Sequence, residues 1–600
     1  MADENINENT GFEEEELDTK AYDSRLMKRL LGFASPYWYL FLLAVILLFA
    51  STATDLARPY LIGLTIDDFI KKGDSQALNR IGLWFLLLVM AGFLFNLLQI
   101  YVLSYAGQSI IYNIRQKLFS HLQKMPLSYF DKNPVGRLVT RVTNDTEALN
   151  DMYTNVLVTL LKDFAILAGT IVIMFRLNVK LTLISLAIMP VVIILTVIFR
   201  VRIRKVYRNV RVALARINSV ISENISGMRI IQMFSAEKQN YSQFEETGKN
   251  YYKAVMSEIV TFGLFRPAIE MLSSFALALL MWFGGRDVLK GSLQFGVLYT
   301  FVTYISMLFQ PINDLAEKYN ILQASMAASE RIFLILDAPA EDDSGTIRAD
   351  KGIRGEIEFK NVWFAYNNDD WVLRDVSFKV PAGKTVAIVG ATGAGKTSII
   401  SLLSRLYEIQ KGEILIDGIN IKDIRRDDLR RLTGVVLQDV FLFSGRLKDN
   451  IRLNEESITD EKVRQAAMYV NADGFISRLP MGYDTEVMER GSTFSAGQRQ
   501  LLAFARALAF DPVILVLDEA TSNIDTETEL LIQDALKKLT KNRTTIVIAH
   551  RLSTIQHADS IIVLHKGKVR ESGTHQELLA KKGMYYSLYL LQYQKDEPSA

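Results

Sequence analysis

Six hundred residues, of which 50% are hydrophobic and only 22% charged, make a chain too long for one compact domain and more apolar than soluble chains, which carry about 25% charge. Lys and Arg total 68 against 66 Asp and Glu, a net charge of +2, so no global basic field points to nucleic acid as a partner. With no cysteine anywhere, disulfides, cysteine–zinc sites, iron–sulfur clusters and a cysteine nucleophile are all excluded.

Residues 1–24 are acidic and Asn-rich, with Glu13-Glu14-Glu15-Glu16 in a row. They lack the basic start and apolar centre of a signal peptide, which predicts a disordered cytoplasmic tail. A membrane domain follows over 25–335. Its six apolar stretches, at 37–63, 82–105, 155–176, 180–200, 257–283 and 293–316, are each near the ~20 residues a helix needs to cross a bilayer. Basic residues gather after the second stretch (Arg115, Lys117, Arg137) and after the fourth (Arg200, Arg204, Arg208). The excess of positive charge places those segments, and both termini, on the cytoplasmic side. Both inner segments keep helical spacing, so the spans are expected to run on as helices beyond the membrane. Turn-rich breaks interrupt them at 126–134 and 235–241.

Polar residues inside spans are costly and usually face a cavity or a partner. Asp55 and Arg58 are spaced to pair on one helix face. Lys162-Asp163 fits an interhelical salt bridge better than a ligand site. Glu270 is the candidate for holding a cationic substrate. Tyr299, Phe301, Tyr304 and Met307 in the last span suit either a cavity for varied apolar compounds or helix packing against lipid.

Residues 336–355 form a polar linker, and 356–594 alternate short β-type runs with helices, the pattern of an α/β domain, before a tail at 595–600. Val386-Ala387-Ile388-Val389 reads as a buried strand. It leads into Gly390-Ala391-Thr392-Gly393-Ala394-Gly395-Lys396-Thr397-Ser398 and a helix. This is a phosphate-binding loop in its required strand–loop–helix setting. The glycines let backbone N–H groups wrap phosphates at a helix N-terminus, Lys396 pairs with β/γ oxygens, and Thr397 reaches Mg²⁺. A second strand ends in Asp518-Glu519. Asp518 suits a Mg²⁺ ligand and Glu519 a base for the attacking water. The next strand end, beyond Asp518-Glu519 in the chain, delivers His550, placed to bond the γ-phosphate. The fold class is therefore an α-helical polytopic membrane domain with six spans and long cytoplasmic extensions, fused to an α/β P-loop ATPase domain.

Phe494-Ser495-Ala496-Gly497-Gln498 runs into a helix, and Ser495 is a plain N-cap candidate. In this position the chain resembles an ATP-binding cassette exporter half-transporter. The five residues are similar to that family's signature, usually Leu-Ser-Gly-Gly-Gln. The resemblance covers about 25–594, with every expected motif in order. It implies ATP and Mg²⁺ as ligands, Tyr366 as the ring that stacks on adenine, and Gln438 as the Q-loop glutamine that senses the metal. It further implies Ser522-Asn523-Ile524-Asp525 as the D-loop and His550 as the switch histidine. In such exporters two cassettes close head to tail, so Ser495, Gly497 and Gln498 would serve ATP held on a partner chain. The turns at 126–134 and 235–241 would transmit that closure to the spans, the second across to the partner's cassette.

Phe494, Ala496, Asn523-Ile524 and Met488 depart from the usual pattern, while Glu519 and His550 are intact. That combination resembles one subunit of a heterodimeric bacterial exporter, with a homodimer as the alternative. The expected activity is ATP-driven export of amphipathic, drug-like molecules across the inner membrane, the alternative being a lipid flippase. A nucleotide-gated channel or regulator would need degeneracy at Glu519. An importer keeps spans and cassette on separate chains, and a peptide-maturing exporter needs a cysteine protease.

Overall fold

The computed structural model describes residues 23–341, 343, 345–348, 352–367, 370–488, 491–518, 525–549 and 555–596. The chain divides into two compact units, Met1–Gln123 with Val135–Ala338, and Lys124–Pro134 with Pro339–Ala600. The short segment 124–134, expected within the membrane domain, thus groups with the second unit.

Among its described residues the first unit holds helices and no strand. Five segments among the described residues are each long and apolar enough to cross a membrane: Ser24–Ile70, Ser75–Leu122, Val135–Leu177, Val179–Ser226 and Glu237–Leu289. A sixth helix runs from Phe295 to Asp337, with its apolar part at Phe295–Pro311. This is a multi-pass membrane protein. The second and fifth helices extend over 48 and 53 residues, or roughly 70–80 Å at the α-helical rise, more than twice the ~30 Å of a hydrocarbon core. Large apolar side chains such as Trp84, Phe93 and Tyr101 stand exposed on the second helix, as lipid-facing positions do.

The first segment begins earlier than the apolar run. A helix from Ser24 to Ala34 opens on Asp23, whose carboxylate caps the Arg25 N–H at 2.7 Å. Its buried face is Met27, Leu30 and Ala34. The Leu30 carbonyl accepts the Tyr153 hydroxyl at 2.7 Å, and Arg29 grips Asp337 by two bonds of 2.6 and 2.7 Å. Asp55 and Arg58 pair at 3.3 Å, and Asp163 pairs with Lys318 of the sixth helix, so both pairings read from sequence are present.

In the second unit, strands β1 (Ile357–Ala365), β2 (Trp371–Val380), β4 (Lys411–Ile416) and β5 (Ile419–Asn420) form an antiparallel sheet in the order β2-β1-β4-β5. The central sheet has the order β12-β11-β3-β10-β9-β6. Its members are β3 (Thr385–Val389), β6 (Thr433–Val436), β9 (Ile514–Asp518), β10 (Thr544–Ile548), β11 (Ser560–His565) and β12 (Lys568–Gly573), while β7 (Gly445–Arg446) and β8 (Glu486–Val487) pair with each other outside it. All its neighbours run parallel except β11 and β12. Alternate residues of β3, β9 and β10 supply two apolar cores. Ala387, Leu515, Leu517 and Val547 face the one shared with the Ala496–Phe510 helix, and Val386, Ile388, Val516 and Ile546 face the one shared with the antiparallel sheet. Strands buried on both faces account for their unbroken Val/Ile/Leu runs.

Candidate functional site

Parallel register aligns three strand ends. Ile388 of β3 lies opposite Ile548 of β10, and Ile548 opposite Asp518 of β9. In an open α/β sheet, ligands bind beyond the carboxyl ends of such strands. The His-bearing strand therefore lies between the phosphate-loop strand and the acidic strand, where the sequence had only placed it next in the chain. Crossover connections in a parallel sheet separate chain order from spatial order. In the chain Glu519 comes one residue after Asp518 and His550 two after Ile548, and both lie outside the described residues, as do Ser522, Asn523 and Ile524.

From Val389 the chain turns through Gly390 and enters the Lys396–Leu403 helix. Gly393 and Gly395 adopt φ of 78° and 100°, in the left-handed region that favours glycine. A Cβ on Gly395 would lie 2.6 Å from Leu373 Cδ2, so a side chain at 395 would push the loop off the sheet. Thr392 and Gly393 are exposed, while Ala394 and Ser398 are buried. Lys396 is only 6% exposed. Its ammonium folds back to donate to the carbonyls of Gly390 at 2.7 Å and Ala391 at 3.1 Å. Burial pushes its pKa down, and the nearby Asp518 carboxylate opposes that. A buried cation held by two loop carbonyls is poised to exchange them for anionic oxygens. Thr397, one residue on, is exposed, and Asp518 is 8% exposed at the end of β9. The Thr397 hydroxyl at the helix start and the Asp518 carboxylate, on a strand separated from β3 by β10, are hard oxygen donors of the kind Mg²⁺ takes, with water completing its shell.

Tyr366 follows β1 with its ring 45% exposed and its hydroxyl 3.0 Å from Ser398 Oγ. Gln438 is exposed just past β6. Asp525 caps the Thr526–Thr540 helix by accepting the Thr528 N–H at 2.9 Å. That bond, first among the causes, holds its carboxyl below the usual range.

Ser495 starts the Ala496–Phe510 helix in a reciprocal capping box. The Gln498 N–H donates to Ser495 Oγ at 3.2 Å, and the Ser495 N–H donates to Gln498 Oε1 at 3.0 Å. Gly497 is buried and Gln498 partly so. Among the described residues, no hydrogen bond joins residues 495–498 to the loop at 390–398. Phe494 points away from this surface, 6% exposed within the core and 6.4 Å from the Phe475 ring.

Two residues here, Arg506 and Gln410, escaped the sequence reading. Arg506 donates to the Asn450 carbonyl at 2.9 Å and to the Phe441 carbonyl at 3.2 Å, tying the signature helix to the segment after Gln438. Its signal was an arginine inside an otherwise apolar helix, Leu501 to Ala509, and burial pushes its pKa down. Gln410 locks the end of β1 beneath Tyr366 through bonds of 3.1 and 2.9 Å to the Ala365 N–H and carbonyl.

In the membrane unit the aromatic group is split. Phe301 and Tyr304 are fully buried, and the Tyr304 hydroxyl donates to the Leu56 carbonyl at 2.7 Å. They pack the bundle core, so these two side chains neither line an open cavity nor face lipid. Met307 packs at the edge of that core, and Tyr299 is 39% exposed. Glu270 is exposed, 3.7 Å from Arg266, on an open face of the Glu237–Leu289 helix that also carries Glu258, Phe262 and Pro267.

Residues 41–312 match the family described as ABC transporter transmembrane region, and residues 373–522 the family described as ABC transporter. The chain belongs to the ABC transporter family. As a membrane domain and an ATPase domain fused in one chain, it is an ABC exporter half-transporter. It is 40% identical over 586 residues to the uncharacterized ABC transporter ATP-binding protein YknV of Bacillus subtilis, covering 97% of each chain. It is 42% identical over 498 residues to the probable multidrug resistance ABC transporter ATP-binding/permease protein YheH of the same organism, covering 82% of this chain and 74% of that one. An ATP-dependent lipid A-core flippase of Syntrophus aciditrophicus is 34% identical over 574 residues, covering 95% of each.

Proposed function

We propose that this half-transporter works in the cell membrane as one subunit of a dimeric exporter of amphipathic, drug-like molecules, with its ATPase domain and both termini in the cytoplasm. The observation that carries the reading is the Lys396 site. A desolvated cation, left-handed glycines and an aligned acidic strand end await a nucleotide triphosphate in a chain whose other unit crosses the membrane. Lys396 would release Gly390 and Ala391 for β/γ oxygens. Thr397, Asp518 and Gln438 would hold Mg²⁺, which supplies neutralisation of the phosphate charge. Glu519 would take the proton of the attacking water, and His550 would bond the γ-phosphate. Ser495 and its helix N-terminus would serve the partner's ATP.

For the substrate, the half-buried Glu258 and the exposed Glu270 beside Phe262 support a cationic amphipathic compound, as does similarity to a probable multidrug resistance transporter. Similarity to lipid A-core flippases supports the second reading, a lipid substrate. Inverted vesicles given a cationic dye or a labelled phospholipid separate the two, and dye-only movement rules against the flippase.

For the partner, we favour a different chain. Ala496 and Met488 lie exposed as departures from the pattern, whereas buried Phe494 no longer counts toward it. The deciding experiment is steady-state ATPase of the chain purified alone in lipid beside Glu519→Gln. The heterodimer predicts ATP binding with little turnover. Robust turnover removed by the substitution would establish a competent homodimer, and turnover that survives it would sink Glu519 as the base.

A further inference from the structure

The short helix Leu127–Lys132, in the segment that groups with the ATPase unit, carries Asp131. Its carboxylate accepts a hydrogen bond from the Tyr407 hydroxyl. Tyr407 lies half-buried just beyond the helix that Lys396 opens. Burial first, and then the bond to Asp131, push its hydroxyl well above the ordinary tyrosine range. The ring meets Tyr366 edge-on, with centroids 5.1 Å apart and planes at 89°, and it meets Phe364 at 5.8 Å. Phe364 is itself 4.7 Å from Tyr366, so three rings close on one another, with only Tyr366 presenting a large open face.

An exposed tyrosine at a strand end has two side-chain torsions to fix before it offers a defined plane. Edge-to-face contacts hold a ring at a set angle, and a platform held in advance binds more tightly than one ordered by its ligand. We propose that Tyr407 is a positioning residue for the nucleotide: it holds the Tyr366 ring at the angle that receives adenine, and through Asp131 it makes that hold depend on the Leu127–Lys132 helix. The proposal rests on Tyr366 being the adenine platform. It gives the break at 126–134 a route to the base of the nucleotide, separate from the phosphate loop.

The test is equilibrium binding of ATP and of inorganic tripolyphosphate to the full-length chain in lipid. The variants are Tyr366→Ala, Tyr407→Ala, Tyr407→Phe, Asp131→Ala and the double Tyr366→Ala/Tyr407→Ala. Tyr366→Ala should weaken ATP roughly tenfold, the scale of one lost base–aromatic stack. Tyr407→Ala should weaken ATP severalfold, leave tripolyphosphate unchanged, and add nothing in the Tyr366→Ala background. Tyr407→Phe and Asp131→Ala should produce the same smaller loss as each other. Tyr407→Leu, which keeps bulk without the aromatic edge, replaces the alanine variant if that one fails to fold. Tyr366→Ala without effect overturns the platform and the proposal with it. An effective Tyr366→Ala beside a silent Tyr407→Ala overturns the proposal alone. Equal losses for tripolyphosphate, or full additivity in the double variant, reduce Tyr407 to a packing residue and also overturn it, and an unchanged Asp131→Ala removes the link to the helix.

Discussion

Phe494 and Ala496 flank the same serine and have opposite surroundings, which letters alone do not reveal. Phe494 precedes the N-cap, a position where an apolar side chain commonly turns back onto the core; it does so here, beside Phe475. Ala496 is the first residue of the helix and is exposed. The two departures should therefore fail differently when reversed. Phe494→Leu removes part of a packed ring and should cost about 1 kcal/mol of stability, read as a lower melting temperature with ATPase activity of the assembled transporter unchanged. Ala496→Gly alters the surface beside Ser495 and should change that ATPase activity severalfold with little change in melting. The reverse pattern would mean that Phe494 shapes the nucleotide surface from within the core. At this scale the chemistry-bearing letters were legible, because Gly, Lys and Thr in the phosphate loop have few structural substitutes. Arg506 and Tyr407 were not, since their roles come from carbonyls and rings distant in the chain.

At the scale of elements, legibility followed the kind of pattern. The strand–loop–helix at 385–403 and the long apolar spans were readable because periodicity and turn residues are local. The Ser24–Ala34 helix went unread between the tail at 1–24 and the first span at 37–63, because its buried face is only three residues, Met27, Leu30 and Ala34. The place of β10 between β3 and β9 was unreadable, since strand order is set by crossovers. The C-terminal hairpin adds a pH-dependent element. Thr574 and Glu577 form a capping box at the start of the His575–Lys581 helix. His575 Nδ1 lies 2.6 Å from the Tyr585 hydroxyl of the Met584–Asp596 helix. Burial holds the His575 pKa below its ordinary 6.5, so the folded state prefers the neutral ring. Below 6.5 the unfolded chain binds the proton more readily, and stability falls with pH until the folded pKa is reached; above 6.5 nothing is lost. Amide exchange in residues 584–596, corrected for its intrinsic pH dependence, should be faster near pH 5.5 than near pH 7.5, and His575→Gln should flatten the difference. An unchanged slope in that variant would remove His575 as the cause.

The membrane unit as a whole is held by a mostly apolar bundle, and its Asp163–Lys318 pair lets cohesion be told apart from substrate handling. Both side chains are largely buried, and they join the third long helix to the sixth, the helix that also carries the fully buried Phe301 and Tyr304. The sequence offered an interhelical bridge at Lys162-Asp163 without naming the partner. Which helix meets which is a tertiary matter, and Lys318 lies beyond the last apolar run. Removing one partner leaves the other charge buried without its counter-ion, a cost of about 3–5 kcal/mol, whereas removing both relieves most of it. Asp163→Ala and Lys318→Ala should each lower the thermal stability of the solubilised transporter sharply, and the double variant should recover a large part of that loss. Transport by the double variant should recover with it, because neither charge is needed once the bundle holds. If the double variant is stable and yet moves neither dye nor phospholipid, the pair lies on the transport route. The low exposure of both groups would then describe one conformation of a site that opens during the cycle.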